Sequence, residues 1–337
     1  MTSRFLRNKY FLLFLLFLAV FVFYRDNSYV IYLLVMIFIY AMTALTAILP
    51  IGNVGQLILC QGAFWGLGAY SYALLIKYFG LSPWVCLPMA TLFSGLVGLG
   101  IAFSVMRTKG IYLGIVTLSF GVVFQLLLVN LNNITGGTSG VNTPHFPALN
   151  LGILTINSGS EPFYYFFCLV SFLGTMAFLE WLLNGKVGIY FRCIKQDETA
   201  AKSIGINFRF YHLLSFLVTA CIGGFAGSIF ASFQGFISPT LFAFDSTLSI
   251  ILSGIVGGIT RLPGSIVGAG FVVIFPEMLR FLADYRVTFY GLSLVCLLIF
   301  LPEGLTPLIE KGFRFLGNVL LSRGADRKIS KKVKVDH

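Results

Sequence analysis

The chain has 337 residues, of which 58% are hydrophobic, 16% aromatic and only 10% charged, and its mean hydropathy is +0.92. No soluble domain could cover so apolar a chain with polar surface, so composition excludes the soluble classes and predicts an all-α, polytopic membrane protein. The formal net charge of +11 must then be explained by where the basic residues fall between membrane segments.

A helical crossing of hydrocarbon about 30 Å thick needs roughly 20 mostly apolar residues. Ten such runs follow one another, at residues 10–24, 30–49, 56–76, 83–106, 111–130, 163–183, 213–236, 241–260, 263–282 and 287–301. They predict eight to ten transmembrane helices, because the first and last runs are short and 241–260 carries Asp245 and many glycines, as a re-entrant segment would. The first run lies behind Arg4, Arg7 and Lys9, but Phe21-Val22-Phe23-Tyr24-Arg25 offers no small-x-small cleavage site. It is therefore read as a spanning helix and not as a signal peptide. The chain divides into N-terminal membrane helices (1–49), a core (50–306) that contains a charged loop at 184–212, and a basic tail (307–337).

Lys and Arg accumulate on the cytoplasmic side of membrane proteins. With the N-terminus inside, the even-numbered loops and the C-terminus collect 19 of the 23 basic residues, and only Arg25, Lys77, Arg280 and Arg286 fall outside. The segment 131–162 has no Lys or Arg and is placed on the external face. Net charge is thus a consequence of topology. The tail Arg327-Lys328-Ile329-Ser330-Lys331-Lys332 reads as an anchor beside anionic lipid and not as a nucleic-acid site.

Classical chemistry is scarce. The six cysteines show no metal-ligand spacing and read as small hydrophobes, and the three histidines, His145, His212 and His337, form no ligand pair. No metal site is expected. No G-x-x-x-x-G-K-[ST] phosphate loop occurs, so any ATP coupling must come from a partner. Glu180, Asp245, Glu277 and Arg280 lie near segment ends, which gives little support to a proton relay. Gln56, Gln61, Thr117, Ser119 and Gln125 lie deeper and are uncharged; each is suited to an interhelical hydrogen bond or to cargo contact. Glycines at Gly62-x-x-x-Gly66 and Gly254-x-x-Gly257-Gly258 suit close helix packing, and some suit helix breaks along a path. The same holds for Thr135-Gly136-Gly137-Thr138-Ser139-Gly140, where the backbone freedom of glycine suits an external mouth.

The loop 184–212 predicts a short helix. Asp197 can cap it, Glu198 suits its first turn, Lys202 its last, and Gly205 the left-handed position beyond its end. Ala200, Ala201 and Ile204 then form a small apolar patch flanked by charge. A helix of barely two turns is marginal alone. It needs a surface to dock against, either the membrane or a partner.

Ala200-Ala201-x-x-x-Gly205 resembles the coupling loop of ATP-binding cassette (ABC) importer permeases, and other stretches resemble the branched-chain amino acid permease family, LivM-type. Those stretches are Gly55-Gln56-Leu57 through Gly62-Ala63-Phe64-Trp65-Gly66, Arg107-Thr108-Lys109-Gly110-Ile111-Tyr112, Ile134-Thr135-Gly136-Gly137-Thr138-Ser139-Gly140, Gly257-Gly258 with Pro263-Gly264-Ser265, and Phe300-Leu301-Pro302-Glu303-Gly304-Leu305. They recur in order over residues 50–306. Two departures stand out: Thr199 replaces a common Glu, and Lys186-Val187-Gly188-Ile189-Tyr190-Phe191-Arg192 replaces the usual lead into the loop. The resemblance implies a multi-pass permease of the cell inner membrane with both termini cytoplasmic. It implies a second permease subunit in a heterodimer, two ATPase subunits that bind ATP and Mg, and an extracytoplasmic binding protein. Branched-chain amino acids are the implied cargo, with urea or short amides as the alternative and a secondary transporter as the more distant one. Asp197, Glu198, Thr199, Ala200, Ala201, Lys202 and Gly205 are the implied ATPase contact. Gln56, Gln61, Gly62, Gly66, Thr135, Gly136, Gly137, Thr138, Gly257 and Gly258 are the candidates for the translocation path.

Overall fold

A computed structural model describes residues 2–24, 27–108, 110–147, 149–150, 155–156, 161–301 and 304–307. Lys109, Pro302 and Glu303, and the basic tail from residue 308 onward, lie outside the described residues. Ten apolar helices match the ten predicted runs: α1 Thr2–Tyr24, α2 Ser28–Ala47, α3 Gln61–Phe79, α4 Pro83–Ser104, α5 Ile111–Asn130, then, after the four-residue α6 Asn132–Thr135, α7 Glu161–Asn184. Two short helices follow, α8 Lys186–Gln196 and α9 Glu198–Ser203, and then α10 Phe208–Gln234, α11 Phe244–Gly257, α12 Gly264–Met278 and α13 Arg286–Phe300. Six of these stretches are long and apolar enough to cross a membrane. Among the described residues, strand structure is confined to two-residue pieces: β1 Val141–Asn142, β2 Leu149–Asn150, β3 Thr155–Ile156 and β4 Phe236–Ile237.

Helix α10 is the centre of the bundle, with α3 and α4 packed along it. Small residues set that approach. A Cβ on Gly68 would fall 2.0 Å from the Gly224 oxygen, and one on Gly227 would fall 2.0 Å from the Trp65 oxygen, so the two backbones touch only because both positions are glycine. At the same level the Ser94 hydroxyl of α4 faces the Ala220 oxygen at 2.9 Å and the Phe64 oxygen at 3.3 Å, which joins three helices. Trp65 fills the space above, its ring centroid 4.5 Å from Phe230 and 5.1 Å from Phe242. On the far side of α2, Phe38 meets Phe17 of α1 and Tyr165 of α7.

Two departures from regular helix matter. First, α2 runs on into a π-helical turn, Ile48–Val54, and the chain is not helical again until Gln61. The predicted run 56–76 therefore starts five residues late. The cause is local and tertiary together: Gly55 turns left-handed at φ 78° and ends the helix, while Thr117 of α5 accepts the Leu59 N–H at 3.0 Å and replaces the bond a helix would supply. Non-helical backbone at membrane depth is tolerated only when buried in protein and partnered in this way.

Second, α11 and α12 form a tight hairpin. Cβ atoms on Gly257 and Gly268 would fall 1.9 Å from the Gly264 oxygen and 1.7 Å from the Ser253 oxygen. Helix α11 has 14 residues, short for a full crossing, as the content of 241–260 predicts. A 3-10 turn, Pro239–Phe242, precedes it and tucks Phe242 against Trp65 and Tyr70.

Candidate functional site

At one end of the bundle the 184–212 segment folds as two helices where the sequence analysis expects one. Helix α8 is amphipathic, burying Gly188, Phe191 and Ile194 at three-residue spacing and leaving Lys186, Arg192 and Lys195 exposed. That spacing was visible in the sequence. Positions three residues apart lie on one helical face, and here that face is the buried one.

Helix α9 is capped as its sequence predicts. The Asp197 carboxylate accepts the N–H groups of Thr199 at 2.7 Å and Ala200 at 3.1 Å. Glu198 and Lys202 pair at 2.5 Å one turn apart. At the C-terminus Gly205 is left-handed, φ 85°. The Gly205 N–H reaches the Lys202 oxygen and the Ile206 N–H reaches the Ala201 oxygen, which together make a Schellman cap with its apolar contact between Ile206 and Ala201.

This geometry separates the three residues of the expected patch. Ala201 is only 3% exposed, held against Ile194 and Ile206 beside Tyr190, Phe208 and Tyr211. Ala200 is exposed, and Ile204 is 72% exposed. Ala201 therefore anchors α9 to its own chain, while Thr199, Ala200, Ser203 and Ile204 form the outward face. The apolar patch of the sequence reading is corrected to Ala200 and Ile204, because the helix face that carries position 201 packs on Ile194 and Ile206.

Directly beneath lies the break between α2 and α3. The Gln61 side chain donates to the Ile58 oxygen at 2.6 Å, and the Gly62 N–H donates to Thr247 of α11 at 3.2 Å. The Gln56 amide meets the His212 ring at 2.7 Å. The side-chain oxygens of Gln56 and Gln61 are buried and make no hydrogen bond among the described residues. Buried acceptors are normally satisfied, so the break carries two acceptors with bonding capacity to spare. Of the other path candidates, Gly62, Gly66 and Gly257 sit at helix contacts, where a Cβ would meet Thr247, Phe124 and Gly264 respectively, the packing role expected of closely spaced glycines. Gly258, at φ 112°, turns the chain out of α11. Sequence reasoning does not single out His212 or Thr247 here, since a lone His at the end of the charged loop and a lone Thr in an apolar run carry no pattern.

At the opposite end, Thr135 to Gly140 folds into a knot. The buried Thr135 hydroxyl bonds the Leu128 oxygen at 2.6 Å, and Gly136, Gly137 and Gly140 all have positive φ. Thr138 and Ser139 are exposed. β1 pairs antiparallel with β4 through Val141 and Ile237, which fixes the knot beside the chain that leads into α11.

A multi-pass helical bundle with a broken, partly unsatisfied segment beneath a surface helix is the architecture of a membrane transport protein. A family model described as the permease component of the branched-chain amino acid transport system matches residues 29–301, and the chain belongs to that family. The high-affinity branched-chain amino acid transport system permease protein LivM of Escherichia coli is 34% identical over 289 residues, covering 80% of this chain and 68% of that protein. The probable branched-chain amino acid transport permease protein LivH of Methanocaldococcus jannaschii is 24% identical over 224 residues, covering 65% and 70%. LivH of Escherichia coli, a permease protein of the same-named high-affinity system, is 26% identical over 148 residues, 42% and 47%. The relatives thus include permease proteins of both the LivM and the LivH kind. No solved structure matches the chain.

Proposed function

We propose that this chain pairs with a second permease of its family to form the membrane path of an ATP-binding cassette importer for branched-chain amino acids. Of two separate ATPase subunits, which bind ATP and Mg, one docks on α9 and the other on the second permease. An extracytoplasmic binding protein delivers cargo at the knot of Thr135 to Gly140. The observation that carries the reading is α9 itself, a fully capped helix of a permease-family loop that leaves Ile204 bare on its outer face. A helix so short gains little by itself and is stabilised by what it docks against.

Purification of the chain with its neighbouring subunits should bring down an ATPase that contains the phosphate loop this chain lacks. The reconstituted complex should take up leucine, with isoleucine and valine competing and urea not competing. Competition by urea alone, or uptake driven by an ion gradient without ATP, would overturn the reading.

The basic-residue asymmetry predicts the orientation. With Cys193 and Cys296 replaced by serine, Ser139→Cys should react with an impermeant thiol reagent from outside the cell, and Ser203→Cys only after the membrane is opened. Both serines are exposed. Reaction of the two from the same side would refute the topology.

A further inference from the structure

Lys195 occupies the last turn of α8, and its ammonium donates to the backbone oxygen of Gly52, 143 positions away in sequence. Gly52 lies in the π-helical turn Ile48–Val54, where the helical run from Ser28 ends. The last carbonyls of a helix lack intrahelical donors and carry the negative end of its dipole, so a cation from another element is a fitting cap. The stem of Lys195 also lies on Gly55, where an added Cβ would be 3.0 Å from Lys195 Cγ and 3.5 Å from its Cβ. One residue on, Gln56 is held by His212, in the first turns of α10. A cavity of about 90 Å³ lies where these parts meet, lined by Gly55, Gln56, Lys195, Glu198 and His212 among others.

Each element flanking α9 therefore grips the broken segment through one side chain, α8 through Lys195 and α10 through His212. Were α8 to move alone, the carbonyl of the buried Gly52 would lose this donor, and an unmade hydrogen bond at a buried group costs free energy. The least costly motion takes the end of the π turn along.

We propose that Lys195 is a positioning residue that fastens the docking loop to the helix break at residues 48–60, so that movement of α8 and α9 reaches Gln61 at the start of α3. This rests on the reading that α9 docks an ATPase. The test uses the complete reconstituted complex with leucine-loaded binding protein and reads ATPase retention, basal ATP hydrolysis and leucine moved per ATP. Lys195→Met keeps the stem and removes the donor. Retention and basal hydrolysis should stay at wild-type levels, while leucine moved per ATP should fall roughly fivefold or more, the scale of an ordinary coupling free energy. A second variant, Gly55→Cys with Lys195→Cys and with Cys193 and Cys296 replaced by serine, places two sulfur-bearing residues at a Cβ spacing that suits a disulfide, and Gly55→Cys alone is its control for the strain of a side chain at φ 78°. Leucine moved per ATP should be low when it is reduced and recover on oxidation, a response that a merely structural lysine would not produce. An unchanged ratio in Lys195→Met, loss of ATPase retention in that variant, or no recovery on oxidation would each overturn the proposal. Failure of the docking reading shows itself separately, as full ATPase retention by an Ile204→Asp complex.

Discussion

Ile204→Asp is expected to strip the ATPase subunits from the purified complex while leaving the permease folded. Ile204 is exposed on the outer face of α9, so the free chain loses no packing when it changes. In the docked complex the same carboxylate would be buried without a partner, at a cost of about 3 kcal/mol or more, roughly a hundredfold in affinity. Ala201→Asp provides the contrast. It would place its charge between Ile194 and Ile206, so the loop itself should lose its structure, visible as faster proteolysis within 184–212 before any partner is added. ATPase retention measured after detergent purification separates the two. Wild-type retention by Ile204→Asp would show that α9 is an ordinary connector.

Gly268→Val should abolish recovery of folded protein. Its Cβ would fall 1.7 Å from the Ser253 oxygen and 2.8 Å from the Gly257 nitrogen, both of them backbone atoms with no rotamer to yield. Helices α11 and α12 would have to part, and the bond from the Thr306 hydroxyl to the Gly257 oxygen would go with them. The expected loss exceeds about 3 kcal/mol, at the severe end of overpacking. Gly270, two residues on, has nothing within 4 Å, and Gly270→Val is the matched control. Size-exclusion profiles of the two variants in detergent decide the matter: monodisperse protein from both would refute the close contact.

What could be read from the sequence followed how local its cause was. Each apolar run became a helix because hydrocarbon leaves the backbone no other partner. The Asp197 cap and the Gly205 turn were legible because each depends on a few neighbouring residues. The break at 55–60 was not, since its bonds come from Thr117 and His212, far along the chain. Nor was the inward turn of Ala201, which depends on Ile194 in a separate helix, α8. The split of the apolar patch into an anchor and a bare face, and the fastening by Lys195, become visible only when α8 and the π turn are seen together.

The way α10 seats on α3 and α4 has a consequence for how the protein is made. Gly68 and Ser94 line a groove shaped for α10, yet α10 ends at Gln234, about 130 residues after α4 ends at Ser104. At ordinary rates of synthesis that is on the order of ten seconds. Throughout that interval the nascent chain holds an open seam in the bilayer, with the Ser94 hydroxyl bare of the Ala220 oxygen that it meets when folding is complete. Insertion of this protein therefore has a vulnerable window of its own, which closes only when the central helix arrives, and slow translation between residues 104 and 234 would prolong it.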